Sequence, residues 1–166
     1  VPVAEFVPSR SQRRCRQRNQ DLQLNIRSAE YDEAHFQLYR RYMAARHPGG
    51  SMDNNVPGAY RRVMNASWSN TLLYEYSHGS DILAVAVVDQ CNDSLSAVYT
   101  FYEPNEAKRS LGVNAILSQI EQAQQSGRDW LYLGYWNPDS PKMAYKTDYQ
   151  PLQYFDGLTW RNKPPI

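Results

Sequence analysis

Residues 71–102 read TLLYEYSHGSDILAVAVVDQCNDSLSAVYTFY. Three β-rich runs lie inside this stretch, Thr71–Tyr76, Ile82–Asp89 and Leu95–Tyr102. His78-Gly79-Ser80-Asp81 and Asn92-Asp93-Ser94 separate them. Turns this short join antiparallel neighbours, so the spacing predicts a meander. Ile82–Val88 is apolar on both faces, which suits the centre of a sheet covered on both sides. Ser110 caps a helix predicted over Leu111–Gln125, with Val113, Ile116, Leu117, Ile120 and Gln124 on one stripe and Gly127 as its stop. Asp129–Trp136 then reads as a buried strand, pairing in parallel because it follows a helix.

Upstream, Val3–Val7 reads as a short extended piece. Leu22, Leu24 and Ile26 alternate with polar residues, a strand signal. Ser28 suits an N-cap, and the acids Glu30, Asp32 and Glu33 suit the start of a helix that Pro48-Gly49-Gly50 ends. Asp53–Pro57 reads as a loop, and a second short helix is expected from Pro57 through Met64. Downstream, Lys142–Tyr149 predicts a further helix. Leu152–Phe155 and Leu158–Arg161 predict a hairpin across Asp156-Gly157. The order is β-α-α-β-β-β-α-β-α-β-β. It resembles the GNAT acyltransferase architecture, an α+β fold with a mixed, mainly antiparallel sheet flanked by helices.

Of the 166 residues, 42% are hydrophobic and 21% charged, ordinary globular usage that excludes disorder for most of the chain. The longest strongly apolar run is far shorter than the roughly 20 residues that span a bilayer, so no membrane partner is expected. Two cysteines, Cys15 and Cys91, lack metal-ligand spacing, so no metal is expected. Without a secretory signal the expected compartment is the cytoplasm. Cys15 sits in a basic run, which lowers a thiol pKa. The total charge of +1 hides an asymmetry. Residues 1–27 hold six Arg against Glu5 and Asp21, a net +4, which leaves −3 for the rest. Such a front suits nucleic-acid phosphates, and equally a solvated face.

P-loop, nucleophile-elbow and dinucleotide motifs are absent, and His35, His47 and His78 are scattered, reading as structural or surface residues. The helix after the third strand opens with Arg109-x-x-Gly112-x-Asn114. GNAT enzymes carry a Gln/Arg-x-x-Gly-x-Gly/Ala pattern here for coenzyme A. Asn114 departs from it, which argues against ordinary acetyl-coenzyme A use. The helix N-terminus still offers amides to an anion or oxyanion, and Gly112 equally allows close packing.

Ser96-Ala-Val-Tyr-Thr-Phe-Tyr-Glu-Pro104, Arg109-Ser-Leu-Gly112, Leu131-Tyr-Leu-Gly-Tyr135 and Lys142-Met-Ala-Tyr-Lys146 follow in that order. Val3-Ala-Glu-Phe6, Pro8–Arg14, Arg18-Asn19, Leu38–Tyr42 and Arg46-His47 precede them. Together they resemble the aminoacyl-tRNA–protein transferase family, over nearly the whole chain, and the opening resembles its bacterial, leucine-transferring branch. The resemblance implies transfer of leucine from leucyl-tRNA to proteins with N-terminal Asp or Glu, with arginyl transfer as the alternative. Two rivals are an ordinary acetyltransferase and a non-catalytic tRNA- or degron-binding module. The family's paired cysteines are not in this chain, and its acid after the third strand, often Asp, is Glu103. Residues 1–27 are therefore expected to be the remainder of a truncated N-terminal module and 28–166 a GNAT-like transferase domain. Aminoacyl-tRNA acts as co-substrate, with no cofactor.

For such an aminolysis, the expected catalytic set is Glu103 for the incoming ammonium, the Leu111 and Gly112 amides for the carbonyl oxygen, and Tyr102 or Tyr145 for the ribose. Lys146, then Lys142 and Arg40, are expected to meet the acceptor's carboxylate, with Tyr135 and Ser110 beside the substrate. Arg10, Arg13, Arg14, Arg16, Arg18 and Arg109 are expected on tRNA phosphates.

Overall fold

Strand β3 (Asp81–Gln90) carries side chains of alternating parity into two separate cores. Ala84, Ala86 and Val88 join one, with Leu111, Ala115 and Ile120. Val85 and Val87 join the other, with Phe36, Tyr39, Met43 and Phe101. A strand buried on both faces needs no polar alternation, which accounts for its apolar run. The computed structural model describes residues 1–46, 58, 60–61 and 69–164. The loop and short helix expected over Asp53–Met64 lie outside those residues except at Gly58, Tyr60 and Arg61, and His47 lies outside them too.

The five-stranded sheet runs β1 (Gln23–Ser28), β2 (Asn70–His78), β3, β4 (Ser94–Tyr102), β5 (Trp130–Tyr132). The first four strands are antiparallel, and β5 lies parallel to β4. A two-stranded ribbon, β6 (Tyr154–Phe155) and β7 (Trp160–Arg161), stands apart from it. Helices α1 (Arg10–Arg18) and α3 (Leu111–Gln125) cover one face, and α2 (Glu33–Arg46) the other. No described helix is long and apolar enough to cross a membrane.

Several expected elements differ. Ser28 does not cap α2, because its backbone pairs with Leu72 as the last residue of β1. Asp32 caps instead, its Oδ1 accepting from Ala34 N at 2.8 Å. The strand expected over Asp129–Trp136 stops at Tyr132, just before Gly134 turns to φ +78°, outside extended space. Lys142–Tyr149 winds as a 3-10 segment, Pro141–Asp148, rather than an α-helix, and Val3–Glu5 is also 3-10. The arginine-rich front is a helix, α1. Ser9 and Gln12 form a capping box, with Gln12 N donating to Ser9 Oγ at 3.3 Å and Ser9 N to Gln12 Oε1 at 2.8 Å.

Helix α1 turns Gln12, Cys15 and Asn19 inward. Asn19 Nδ2 donates to the Arg109 carbonyl at 2.8 Å, and the Cys15 thiol donates to the Ser110 carbonyl at 3.5 Å. Burial pushes the Cys15 thiol up, outweighing the neighbouring arginines that would lower it. This corrects the expectation of a lowered thiol. Arg109 Nη1 and Nη2 grip Asp21 in bidentate fashion at 2.8 and 2.9 Å. Val1–Val3 lie along β5, with Leu131 N donating to the Val1 carbonyl and Val3 N to that of Asp129, both at 2.9 Å. A boundary at residue 27 falls inside β1, and Val1, Val3 and Cys15 share a core with Leu131 and Ile120.

Asn19→Ala would leave the Arg109 carbonyl without this donor, at a cost of about 1–3 kcal/mol, read from urea unfolding. The Arg109 hydrogen bond holds the Asp21 carboxyl below its usual range. Its folded pKa lies below the unfolded one, so the contribution is present above the unfolded value and lost as pH falls through the folded one. The melting-temperature gap between wild type and Asp21→Asn is expected to be open at neutral pH and to close below about pH 4.

Candidate functional site

At the end of β4 the chain leaves the sheet under the last turns of α2. Tyr42 and Arg46 stand one helical turn apart and face the same way. Arg46 Nη2 donates to the Tyr102 hydroxyl at 2.8 Å, and its guanidinium carbon lies 5.8 Å from the Tyr102 ring centroid. Tyr42 meets that ring edge-on at 4.9 Å. Arg41 Nε donates to Glu103 Oε2 at 2.9 Å. Glu103 Oε1 accepts from the backbone and side-chain nitrogens of Asn105 at 3.3 and 3.0 Å, capping the 3-10 segment Pro104–Arg109.

Ser110 follows in the left-handed region, φ 54° and ψ 50°, and opens α3 without a side-chain cap bond. The capping expected of its hydroxyl is therefore absent, because the turn, not the side chain, sets the helix start. The first amides of α3, at Leu111 and Gly112, have no partner within the helix. A Cβ at Gly112 would lie 3.2 Å from Tyr102 Cε1, so the tyrosine ring rests against this turn. Leu111 is buried beneath it.

Tyr145 borders the same cluster. Burial first, then the Tyr102 hydroxyl, raises its pKa. Burial and its tyrosine neighbours push Tyr42 up to about 12. Both phenols keep their protons at neutral pH and act as donors rather than bases.

Lys146, the next residue, faces elsewhere. Its ammonium donates to the Tyr135 carbonyl, and burial lowers its pKa. It borders a groove of about 600 Å3 that runs along β5 between Tyr132, Trp136, Phe155 and Trp160. Tyr135 is 77% exposed at its rim, and Lys142 is exposed on the 3-10 segment.

The structure thus gathers Tyr102, Glu103, Leu111, Gly112 and Tyr145 at one end of the sheet, and Lys146 and Tyr135 at the adjoining groove. Arg40 is exposed and reaches Gln37 at 3.5 Å. Arg10, Arg13, Arg14 and Arg18 lie on the exposed face of α1. Arg16 points inward. Its guanidinium binds both Glu121 oxygens and donates to Asn114 Oδ1 at 2.7 Å. Arg109 is held by Asp21 and Glu106. Sequence reasoning missed Arg41, Tyr42 and Arg46. The i, i+4 spacing of Tyr42 and Arg46 on α2 is visible in the sequence, but which helix face covers the β4 exit is not. The sequence reading also left Trp160 and Phe155 out of any site. His35 is buried, 2.6 Å from Glu75, and His78 lies 3.5 Å from Asp21. Among the described residues no group of three or more His, Cys, Asp or Glu could hold a metal ion.

Solved structures share this fold. The ribosomal-protein-S18-alanine N-acetyltransferase of Escherichia coli aligns over 75% of this chain and 76% of its own, with TM-score 0.52 and 13% identity. The C-terminal domain of a lysylphosphatidylglycerol synthetase from Agrobacterium fabrum, described as putative, aligns over 81% of this chain and 44% of its own, with TM-score 0.59 and 11% identity. The fold is GNAT-like, as the element order predicted. Curated relatives are much nearer in sequence. The aspartate/glutamate leucyltransferase of Nitrosococcus oceani is 45% identical over 96% of this chain and 68% of its own length. That of Stenotrophomonas maltophilia strain R551-3 is 44% identical over 98% and 67%. The model described as the C terminus of arginine-tRNA-protein transferase matches residues 34–156. The match takes in nearly all of α2, the meander, the β4 exit and the groove's lining apart from Val1 and Trp160, and the chain belongs to the arginine-tRNA-protein transferase family.

Proposed function

We propose that this chain transfers leucine from leucyl-tRNA to the α-amine of proteins that begin with Asp or Glu, creating a degradation signal. The observation that carries this reading is its 44–45% identity, over nearly all its length, to proteins named aspartate/glutamate leucyltransferase. Those names favour leucine over arginine as the donor.

The reaction is aminolysis of an ester. An α-amine, with a reference pKa near 8, is appreciably neutral at physiological pH and needs little base. Its nitrogen attacks the ester carbonyl carbon, and the carbonyl oxygen becomes an oxyanion. The Leu111 and Gly112 amides, which open α3 without partners in the helix, are assigned to stabilise that charge. An ionised carboxylate offers about four acceptor sites, and three bonds engage Glu103. The remaining site holds the incoming ammonium and receives the proton the amine sheds. The carbon–oxygen bond to the ribose then breaks, and the ribose oxygen takes a proton relayed through Tyr102 or Tyr145. Coenzyme A enters no step. The Tyr102 ring packs against Gly112, and Arg16 binds Asn114 at the pattern's last position.

The acceptor's acidic side chain needs a cation at this centre. Motif position favours Lys146, but its ammonium is turned to the Tyr135 carbonyl. Arg46 is exposed and stands at the Tyr102 hydroxyl, and a guanidinium matches a carboxylate fork. We assign it the acceptor.

Labelled leucine and arginine, each presented on its tRNA to Asp-, Glu- and Arg-initiated peptides, test the reading. Leucine is expected on the Asp and Glu peptides. Arginine alone would overturn the donor, and no transfer at all would overturn the enzyme. Arg46→Ala is expected to raise KM for an Asp-initiated peptide at least tenfold, about 1.5–3 kcal/mol for a lost charge-assisted bond. Arg46→Lys should recover part of it, and unchanged KM in Arg46→Ala would exclude the assignment.

A further inference from the structure

The groove along β5 takes no part in the chemistry at the β4 exit. Its walls are flat and aromatic. Tyr132 and Trp160 stack with centroids 5.7 Å apart and planes 29° apart, and Phe155 leans on Trp160 at 5.1 Å. Trp160 and Phe155 are each about half exposed, so the stack stays open to a ligand. Trp136, also in the wall, has its indole N–H buried with no acceptor. A volume of about 600 Å3 suits a small organic ligand and far exceeds an isobutyl group.

A basic track leads to this groove. Lys146 stands at its edge, with exposed Lys142 one turn back. Helix α1 abuts the same segment, because Gln12 Nε2 donates to the Asp148 carbonyl at 3.1 Å and Phe6 stacks on Tyr149. The exposed face of α1 carries Arg10, Arg13 and Arg14. Cations that lead into an aromatic slot suit phosphates followed by an unpaired base. An acidic peptide end calls for cations but not for a stack of ring faces.

Resting on the transferase reading above, the geometry points to this groove as the seat of the 3′-terminal nucleoside of the charged tRNA. Its base stacks on Trp160, and the phosphates before it lie towards exposed Lys142 and α1. Tyr145 and Lys146 are consecutive, so one short segment borders both the seated nucleoside and the reacting ester.

The test compares binding of intact tRNA with binding of tRNA lacking its 3′-terminal adenosine, at one fixed salt concentration. Wild type should bind the shortened tRNA about tenfold more weakly, the effect of one lost base–aromatic stack. Trp160→Ala should lose about the same factor on intact tRNA and nothing further on the shortened one, and Trp160→Phe should keep most of the affinity. Equal weakening of both tRNAs by Trp160→Ala would overturn the proposal, as would a raised acceptor-peptide KM at saturating tRNA. The wild-type arm needs no variant, so a misfolded Trp160→Ala leaves the test standing. A wild type that transfers leucine but binds both tRNAs alike overturns the groove assignment alone. A wild type that binds neither tRNA overturns the transferase reading with it.

Discussion

The left-handed turn at Ser110 is the constraint on which the site depends. A non-glycine residue there pays a steric penalty, and surrounding structure must hold it. Helix α1 supplies that hold. Asn19 and Cys15 bind the carbonyls on either side of the turn, and Asp21, just past the helix, binds Arg109. The direction of α3, and so of the Leu111 and Gly112 amides, follows from those bonds. A helix that looks like a nucleic-acid arm in the linear sequence braces the turn at the candidate site. Its two faces are separated by helical period: positions 12, 15, 16 and 19 face the protein, and 10, 13, 14 and 18 face water.

The double-sided burial of β3 fixes where the helices pack on the sheet. Helix α2 packs on the parity of Val85 and Val87, and α3 on that of Ala84 and Ala86. Both helices therefore meet at the exit of β4 with fixed offsets. Tyr102 is where they converge, touched by Arg46 and Tyr42 from α2 and packed against Gly112 of α3. Glu103 is fixed separately by Arg41 and Asn105.

Much of this was legible from residue pattern. The meander showed in its short turns, the central strand in its apolar run, and α3 in its stripe and Gly127. What pattern missed has physical causes. The capping box at Ser9 and Gln12 announces α1, but the arginine charge of this stretch suits an unstructured arm equally well. Asp32 outcompeted Ser28 as a cap because Ser28 was claimed by a strand partner about forty residues away. The inward turn of Arg16 depends on Glu121 and Asn114, which only the packed helices bring within reach. The contacts of Arg46 with Tyr102 and of Trp160 with Tyr132 were invisible for the same reason: neither pair shares a local motif.

The pairing of Val1–Val3 with Asp129–Leu131 has a consequence for biosynthesis. One of these bonds spans 130 residues of chain. The meander closes through local turns and can form while translation continues, but this edge cannot close until β5 has emerged. The stretch of this sequence that leaves the ribosome first is thus among the last to be secured. Helix α1 is not held up in the same way, because Cys15 and Asn19 find their partners at Ser110 and Arg109, about twenty residues before β5.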